Sequence, residues 1–167
     1  MGNIHLVTGN RIGKTTSALG VALRASGHDK EVVVVQFMKG RKDLGEYKAQ
    51  SKIKDYKVYQ FGSKDFVNLK KPSEKDKQLA KKGLEFVREI KRWPQVLVLD
   101  EICLAASINL LEVKDIIGVL KKIPKKTEVY LTGRNAPAGL KREADYVTIV
   151  ITAKIPKNIE CKKGINY

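Results

Sequence analysis

The chain has 167 residues and 18.7 kDa, the size of one ordinary domain, so residues 1–167 are expected to form a single domain around one core. A hydrophobic fraction of 43% with five prolines excludes a disordered or collagen-like chain, and 31% charged residues with no apolar run near ~18 residues exclude a membrane protein. Lys plus Arg number 33 against 18 Asp plus Glu, a formal net charge of +15 that favours anionic partners, but 26 of the 33 are Lys, which reads as a solvated surface more than as Arg-forked recognition of nucleic acid.

The first sixteen residues lack the apolar stretch of a signal peptide, and Leu6 stands where a myristoylation signal needs Ser or Thr, so the expected setting is the cytoplasm with no membrane partner. Residues 4–8 read as a strand. It runs into Thr8-Gly9-Asn10-Arg11-Ile12-Gly13-Lys14-Thr15-Thr16, and a helix over 15–25 follows at once. This strand, glycine-bearing loop and helix form a phosphate loop. Small residues let backbone N–H groups turn onto phosphate oxygens, the helix start adds partial positive charge, Lys14 adds a full one, and the Thr15 hydroxyl can ligate Mg²⁺. The usual spacing puts the first Gly at position 8, where this chain has Thr.

Residues 31–37 form a second strand, apolar at Val32, Val33, Val34 and Val35, as suits a parallel strand covered on both faces. A basic loop is expected over 39–54, a strand over 57–61 and another basic loop over 62–72. Ser73 with Asp76 three residues on opens a helix over 74–92. The strand at 95–99 ends in Asp100 and Glu101. Two readings stand there: a helix start that attracts acids, or carboxylates that hold Mg²⁺ beside a nucleotide, with Thr15 as their partner. A helix over 112–122 shows Val113, Ile116, Ile117 and Leu120 on one face. After the strand at 128–132, Thr132-Gly133-Arg134 brings Arg134 to the sheet edge that carries the phosphate loop, as a site residue or a turn residue. A last strand is expected over 146–152. The alternation predicts a doubly wound, mostly parallel α/β sheet in three α/β/α layers, of the phosphate-loop NTPase (RecA-like) kind. Cys103 and Cys161 lie too far apart for a CxxC unit, and with only His5 and His28 they make no zinc motif.

Taken together, Val7-Thr8-Gly9-Asn10, Gly13-Lys14-Thr15-Thr16, Ala18-Leu19-Gly20, Ala22-Leu23-Arg24-Ala25, Gly27-His28, Val35-Gln36-Phe37, Lys39-Gly40, Gly45-Glu46, Val98-Leu99-Asp100-Glu101-Ile102, Leu131-Thr132-Gly133-Arg134, Ala144-Asp145 and the ending Lys163-Gly164-Ile165-Asn166-Tyr167 resemble the phosphate-loop type of corrinoid adenosyltransferase, nearly end to end. The resemblance implies ATP as donor and a reduced corrinoid as acceptor, with Co(I) attacking the ribose C5′ and tripolyphosphate leaving. It implies that Gly9, Asn10, Arg11, Ile12, Gly13, Lys14, Thr15 and Thr16 hold ATP, with Lys14 and Glu101 in catalytic roles and Thr15, Glu101 and Asp100 at Mg²⁺. Arg24 and Arg134 join the nucleotide-binding set. The resemblance further implies an ATP turned end for end relative to most phosphate-loop enzymes, and makes Phe66 the first candidate, with Phe61 the second, for keeping axial ligands off cobalt. A flavoprotein reductase as source of Co(I) and a homodimer are compatible with it.

The chain departs from the family pattern in three places. Arg11-Ile12 replaces Gly-Lys in the loop, the first strand begins at about Ile4 where relatives carry a covering segment, and Lys154-Ile155-Pro156-Lys157 replaces a Lys-His-Pro-Phe element. Two other classes remain at this stage. A phosphate-loop ATPase or kinase would use Glu101 or Asp100 as base, and a basic nucleic-acid binder would use the net charge, though with only 11 Phe, Tyr and Trp for stacking.

Overall fold

The structure, a computed structural model, describes residues 2–158 and 160–165. In chain order these form β1 (Ile4–Thr8), α1 (Lys14–Ser26), β2 (Val32–Phe37), α2 (Gly45–Ala49), β3 (Tyr56–Phe61), α3 (Glu74–Arg88), β4 (Val96–Asp100), α4 (Ile102–Ser107), α5 (Val113–Leu120), β5 (Glu128–Gly133), α6 (Ala138–Glu143) and β6 (Tyr146–Ile149). One sheet results, in the order β3-β2-β4-β5-β1-β6, with every pairing parallel. The fold is the doubly wound α/β arrangement of a phosphate-loop protein, and the sheet proves wholly rather than mostly parallel.

Side chains on a strand alternate between faces, and each face here has its own cover. Val35, Phe37, Leu97, Leu99 and Leu131 pack against α3, α4, α5 and α6, whereas Val32, Val34, Val96 and Val98 pack beneath Ala18 and Ala22 of α1. This is why β2 and β4 read as unbroken apolar runs. Strand order also matters to the site. Only β5 separates β1, which leads into the phosphate loop, from β4, which ends in the acids, and parallel strands put both ends on one edge.

Several boundaries differ from expectation. Ser73 and Asp76 do form a capping box, but α3 ends at Arg88 rather than 92, with Pro94 close beyond its end. The 39–54 loop contains α2, a single short turn. Two further helices, α4 and α6, are six residues each. In α4, Ile102 to Ala106 are all buried, so no polar face exists to give the stretch helical periodicity. β6 stops at Ile149, and its residues are exposed. The rings of Tyr130, His5 and Tyr146 stack across β5, β1 and β6 at 4.4 and 4.8 Å, tying that edge strand to its neighbours. Of the quoted ending, Asn166 and Tyr167 lie outside the described residues.

Gly133 closes β5 at φ +141°, and a Cβ there would meet the Leu104 amide nitrogen at 2.6 Å. Gly133→Ala is expected to destabilise the protein by about 2 kcal/mol or more, through backbone strain and displacement of α4. Thermal unfolding checks it, with a fall in Tm of roughly 4 °C or more expected for a domain of this size.

Candidate active site

The phosphate loop is held at both ends by contacts that require its glycines. At its start the Thr8 hydroxyl donates to the Gly133 carbonyl at 2.9 Å, and the Val150 amide donates to the Thr8 carbonyl at 2.7 Å. Gly9 and Gly13 sit at φ +139° and +110°. A Cβ on Gly9 would strike the Val150 carbonyl oxygen at 2.2 Å, and one on Gly13 would meet Val150 Cγ1 at 2.9 Å. The chain leaving β6 therefore lies directly against the loop. Asn10, Arg11 and Ile12 are exposed, Ile12 at 71%, so the two residues that depart from the family pattern project outward instead of filling the loop. Lys14 is buried, and its ammonium donates to the Arg11 carbonyl. The Thr16 and Ser17 hydroxyls donate to the Gly13 carbonyl at 3.1 and 2.7 Å, closing the first turn of α1. Burial pulls the Lys14 ammonium below its ordinary value and the nearby Arg134 adds to this, against the charges of Glu101 and Asp100. An anionic ligand in the loop would restore the charge balance.

Asp100 is the centre of the site. It is fully buried at the end of β4, and four side chains from four places in the chain meet it. Thr15 and Thr132 donate to Oδ1, each at 2.7 Å; Gln36 donates to Oδ2 at 3.1 Å, and the Lys39 ammonium pairs with Oδ2 at 2.8 Å. Burial alone would raise this carboxyl. The Lys39 charge and the bonds from Lys39, Thr15 and Thr132 outweigh it, holding Asp100 below the usual carboxylate value. The same pairing, supported by Glu46 at 3.4 Å, raises Lys39 despite its burial. Gln36 also donates to Glu46 at 3.0 Å, and Gln60 donates to Gln36 at 3.0 Å, so β2, β3 and α2 join the network.

Glu101 has the opposite environment. It lies at φ +63°, where its amide donates to Thr132 Oγ1 at 2.9 Å, and it precedes α4 without making a side-chain cap. The helix-start reading of the acid pair is therefore not what the carboxylate does. Its Oε2 is buried with no hydrogen-bond partner among the described residues. Burial raises its pKa, and the neighbouring Asp100 charge raises it further. A buried carboxylate oxygen with no hydrogen-bond partner among the described residues, on the residue after the carboxylate that binds the Thr15 hydroxyl, has the chemistry of a hard-cation ligand. Among the described residues no three His, Cys, Asp or Glu gather as a metal cluster, so a cation here would take further oxygens from a ligand.

Arg134 follows β5 and is exposed at the same edge, close enough to bias both Lys14 and Glu101. Arg24 is different. It is ten residues along α1 from Lys14, about 15 Å at a helix's rise, and lies in the last turn, where its charge reaches Tyr130. The structure does not bring it to the phosphate loop. Phe66 is 96% exposed on the loop after β3, whereas Phe61 packs on Phe86 at 5.4 Å and belongs to the core. Cys103 is buried, and its thiol is pushed up to about 12 by that burial and then by Glu101, so it stays protonated. Sequence reasoning assigned no site role to Gln36, Lys39, Glu46, Gln60 or Thr132. One signal was present: Gln36 interrupts the apolar run of β2, and a polar residue on a doubly covered strand needs buried partners.

The family described as ATP:corrinoid adenosyltransferase BtuR/CobO/CobP matches residues 1–167. The chain belongs to the ATP:corrinoid adenosyltransferase family. Among curated relatives, the corrinoid adenosyltransferase of Pseudomonas aeruginosa is 29% identical over 164 residues, 96% of this chain and 81% of the relative. That of Sinorhizobium sp is 31% identical over 172 residues, 99% and 80% of the two chains, and that of Salmonella typhimurium 30% over 171 residues, 99% and 86%. Membership of the adenosyltransferase family argues against the kinase and nucleic-acid readings. No helix among the described residues is long and apolar enough to cross a membrane.

Removing Lys39 tests the buried pair. Because the folded Asp100 carboxyl is depressed, its contribution is full above the unfolded value of about 3.9 and is lost as pH falls through the lower folded value. Lys39→Met is expected to cost about 3 kcal/mol at pH 7 by leaving the charge unpaired. The deficit should shrink below about pH 4 as Asp100 takes a proton. Denaturant titrations of both proteins at neutral and acid pH measure this difference.

Proposed function

We propose that this chain transfers the 5′-deoxyadenosyl group of ATP to the Co(I) of a reduced corrinoid, releasing tripolyphosphate and serving adenosylcobalamin biosynthesis. The observation that carries the residue-level reading is the pair at the end of β4: Asp100 fixed to Thr15 at 2.7 Å, and Glu101, the next residue, with a buried oxygen that has no hydrogen-bond partner among the described residues. The chemistry needs no side-chain nucleophile. The cobalt electron pair attacks C5′, the C5′–O bond breaks with its electrons going to the leaving triphosphate, and cobalt ends as the alkylated Co(III) state. The protein's task is to position the two substrates and to neutralise the leaving group.

In this reading the backbone from Gly9 to Thr15 cradles the phosphates, and Lys14 swings from the Arg11 carbonyl to a phosphate oxygen. Arg134 adds charge on the opposite side. Thr15 Oγ1 and Glu101 Oε2 would hold Mg²⁺, which would offset charge on the departing triphosphate, while Asp100 keeps the Thr15 hydroxyl aimed. Phe66, free of core contacts, covers the cobalt face on the acceptor side and excludes water. A cytoplasmic setting, a flavoprotein reductase supplying Co(I) and a homodimer complete the proposal.

Phosphorus NMR of anaerobic reactions with ATP, Mg²⁺ and chemically reduced cobalamin tests the activity. Tripolyphosphate is expected in step with the cobalt–carbon bond seen by absorbance. ADP and phosphate formed without corrinoid would instead make the chain an ATPase.

Glu101→Gln separates function from stability. A carboxyl raised in the folded state costs stability as pH rises above its unfolded value, so the amide should raise the Tm of ligand-free protein at pH 7. The same variant should lose about 100-fold or more in adenosyl transfer, since the charge that holds the cation is gone. A lower Tm or parental activity across Mg²⁺ concentrations would remove Glu101 from this role.

A further inference from the structure

The loops that follow β2 and β3 touch backbone to backbone. A Cβ on Gly40 would meet the Gly62 carbonyl oxygen at 2.2 Å, and one on Gly62 would meet the Lys39 amide nitrogen at 2.3 Å. Gln60 donates to the Arg41 carbonyl at 3.0 Å and fixes the same rim. Between the loops lies a cavity of about 500 Å³ lined by Gly40, Arg41, Lys42, Asp43 and Lys64. Three of these residues are cationic and one is anionic. Asp43 is paired with Arg41 at 2.6 Å, while Lys42 and Lys64 form no ion pair among the described residues. Its residues follow β2 and β3, so in this parallel sheet they lie at the edge where β1 leads into the phosphate loop and β4 into Glu101, and Lys39, one residue before Gly40, reaches inward to Asp100. Lys39 is therefore committed to the network, and the unused positive charge belongs to the rim.

Two ammonium groups without counter-ions beside a guanidinium, in a concavity larger than one carboxylate needs, make an anion site with room for the arm that bears the anion. A corrinoid carries acetate- and propionate-derived arms around its ring, each either a carboxylate or an amide. A carboxylate gains charge-assisted bonds from Lys42 and Lys64. An amide offers those cations only its carbonyl oxygen. We propose that this cavity receives a free carboxylate arm of the acceptor, so that the enzyme prefers carboxylate-bearing corrinoids to fully amidated ones. The inference rests on the adenosyl-transfer reading and specifies its acceptor.

The test is the kinetics of adenosyl transfer by the full chain with three reduced acceptors: one with free carboxylate arms, one with every arm amidated, and one fully amidated but carrying a phosphodiester. The parent should favour the carboxylate acceptor in kcat/KM by about 10-fold or more, as expected for charge-assisted bonds. In Lys42→Ala/Lys64→Ala that preference should collapse towards unity through the acceptor KM, with the KM for ATP unmoved. Charge reversal by Lys64→Glu should push the ratio below that of the double variant. Equal use of the carboxylate and amide acceptors by the parent would overturn the proposal, as would a preference that survives the double substitution. A preference confined to the phosphodiester acceptor, or a change in the KM for ATP alone, would assign the cavity to a phosphate and overturn it too. Transfer without discrimination would sink this inference and leave the activity standing, whereas absence of transfer to every acceptor would sink both.

Discussion

Removing the Asp100 carboxylate from water is the constraint on which the rest of the site depends. An ionised group at that depth is tolerable only if its oxygens are bonded and its charge is met. The chain meets this demand with four donors, Thr15 on α1, Gln36 on β2, Lys39 in the loop after β2 and Thr132 on β5. The requirement fixes the start of α1 against β4, holds the end of β5 between them, and pulls the loop after β2 over the sheet edge. A phosphate loop is only as well placed as its helix start, and here that start is bonded to the centre of the sheet.

Two adjacent acids thereby acquire opposite properties. Asp100 is saturated by bonds and stays ionised, while Glu101, turned aside by a left-handed backbone, keeps a buried oxygen with no hydrogen-bond partner among the described residues. Pairs of titratable groups pushed apart in this manner mark divided roles. The two lysines divide in the same sense. Lys39 is held by Asp100 and Glu46, so its charge is spent on the fold. Lys14 has a carbonyl as its hydrogen-bond partner among the described residues and a pKa lowered by burial, so its charge is available to whatever enters the loop.

Much of this was legible in the sequence. All six strands were, because β-branched runs bounded by loops leave few alternatives, and so were α1, α3 and α5. The phosphate loop and the acid pair were legible because each is local. The short α2 and α4 were not: one is a single turn, and the other is buried all round and shows no period. Contacts between distant residues were also hidden, as with Lys39 and Asp100, 61 positions apart in number and 2.8 Å apart in space. Arg24 lies apart from Lys14 for the converse reason. Closeness to Lys14 in a motif becomes distance once the residues between them form a helix.

The distribution of reactive groups fits the kind of chemistry the family performs. When the nucleophile arrives with one substrate and the leaving group departs as a triphosphate, reactive side chains are a hazard and fixed charges are the useful part. The Cys103 thiol, close under the turn at Gly133, is sealed and held protonated. Asp100 has its lone pairs occupied by four donors, which removes it as a base. The remaining polar groups at this edge, Lys14, Arg134, the Thr15 hydroxyl and one oxygen of Glu101, suit oxyanions and a hard cation and do not suit covalent attack. The same economy limits how much of the net charge of +15 is left free at the site. Lys39 is consumed by acids from β4 and α2, and Arg41 by Asp43, so positive charge is left in two separate places, the phosphate loop and the rim beyond β2 and β3. A separation of that kind suits two substrates that meet at one edge, each with its own anionic end, better than it suits one continuous phosphate backbone.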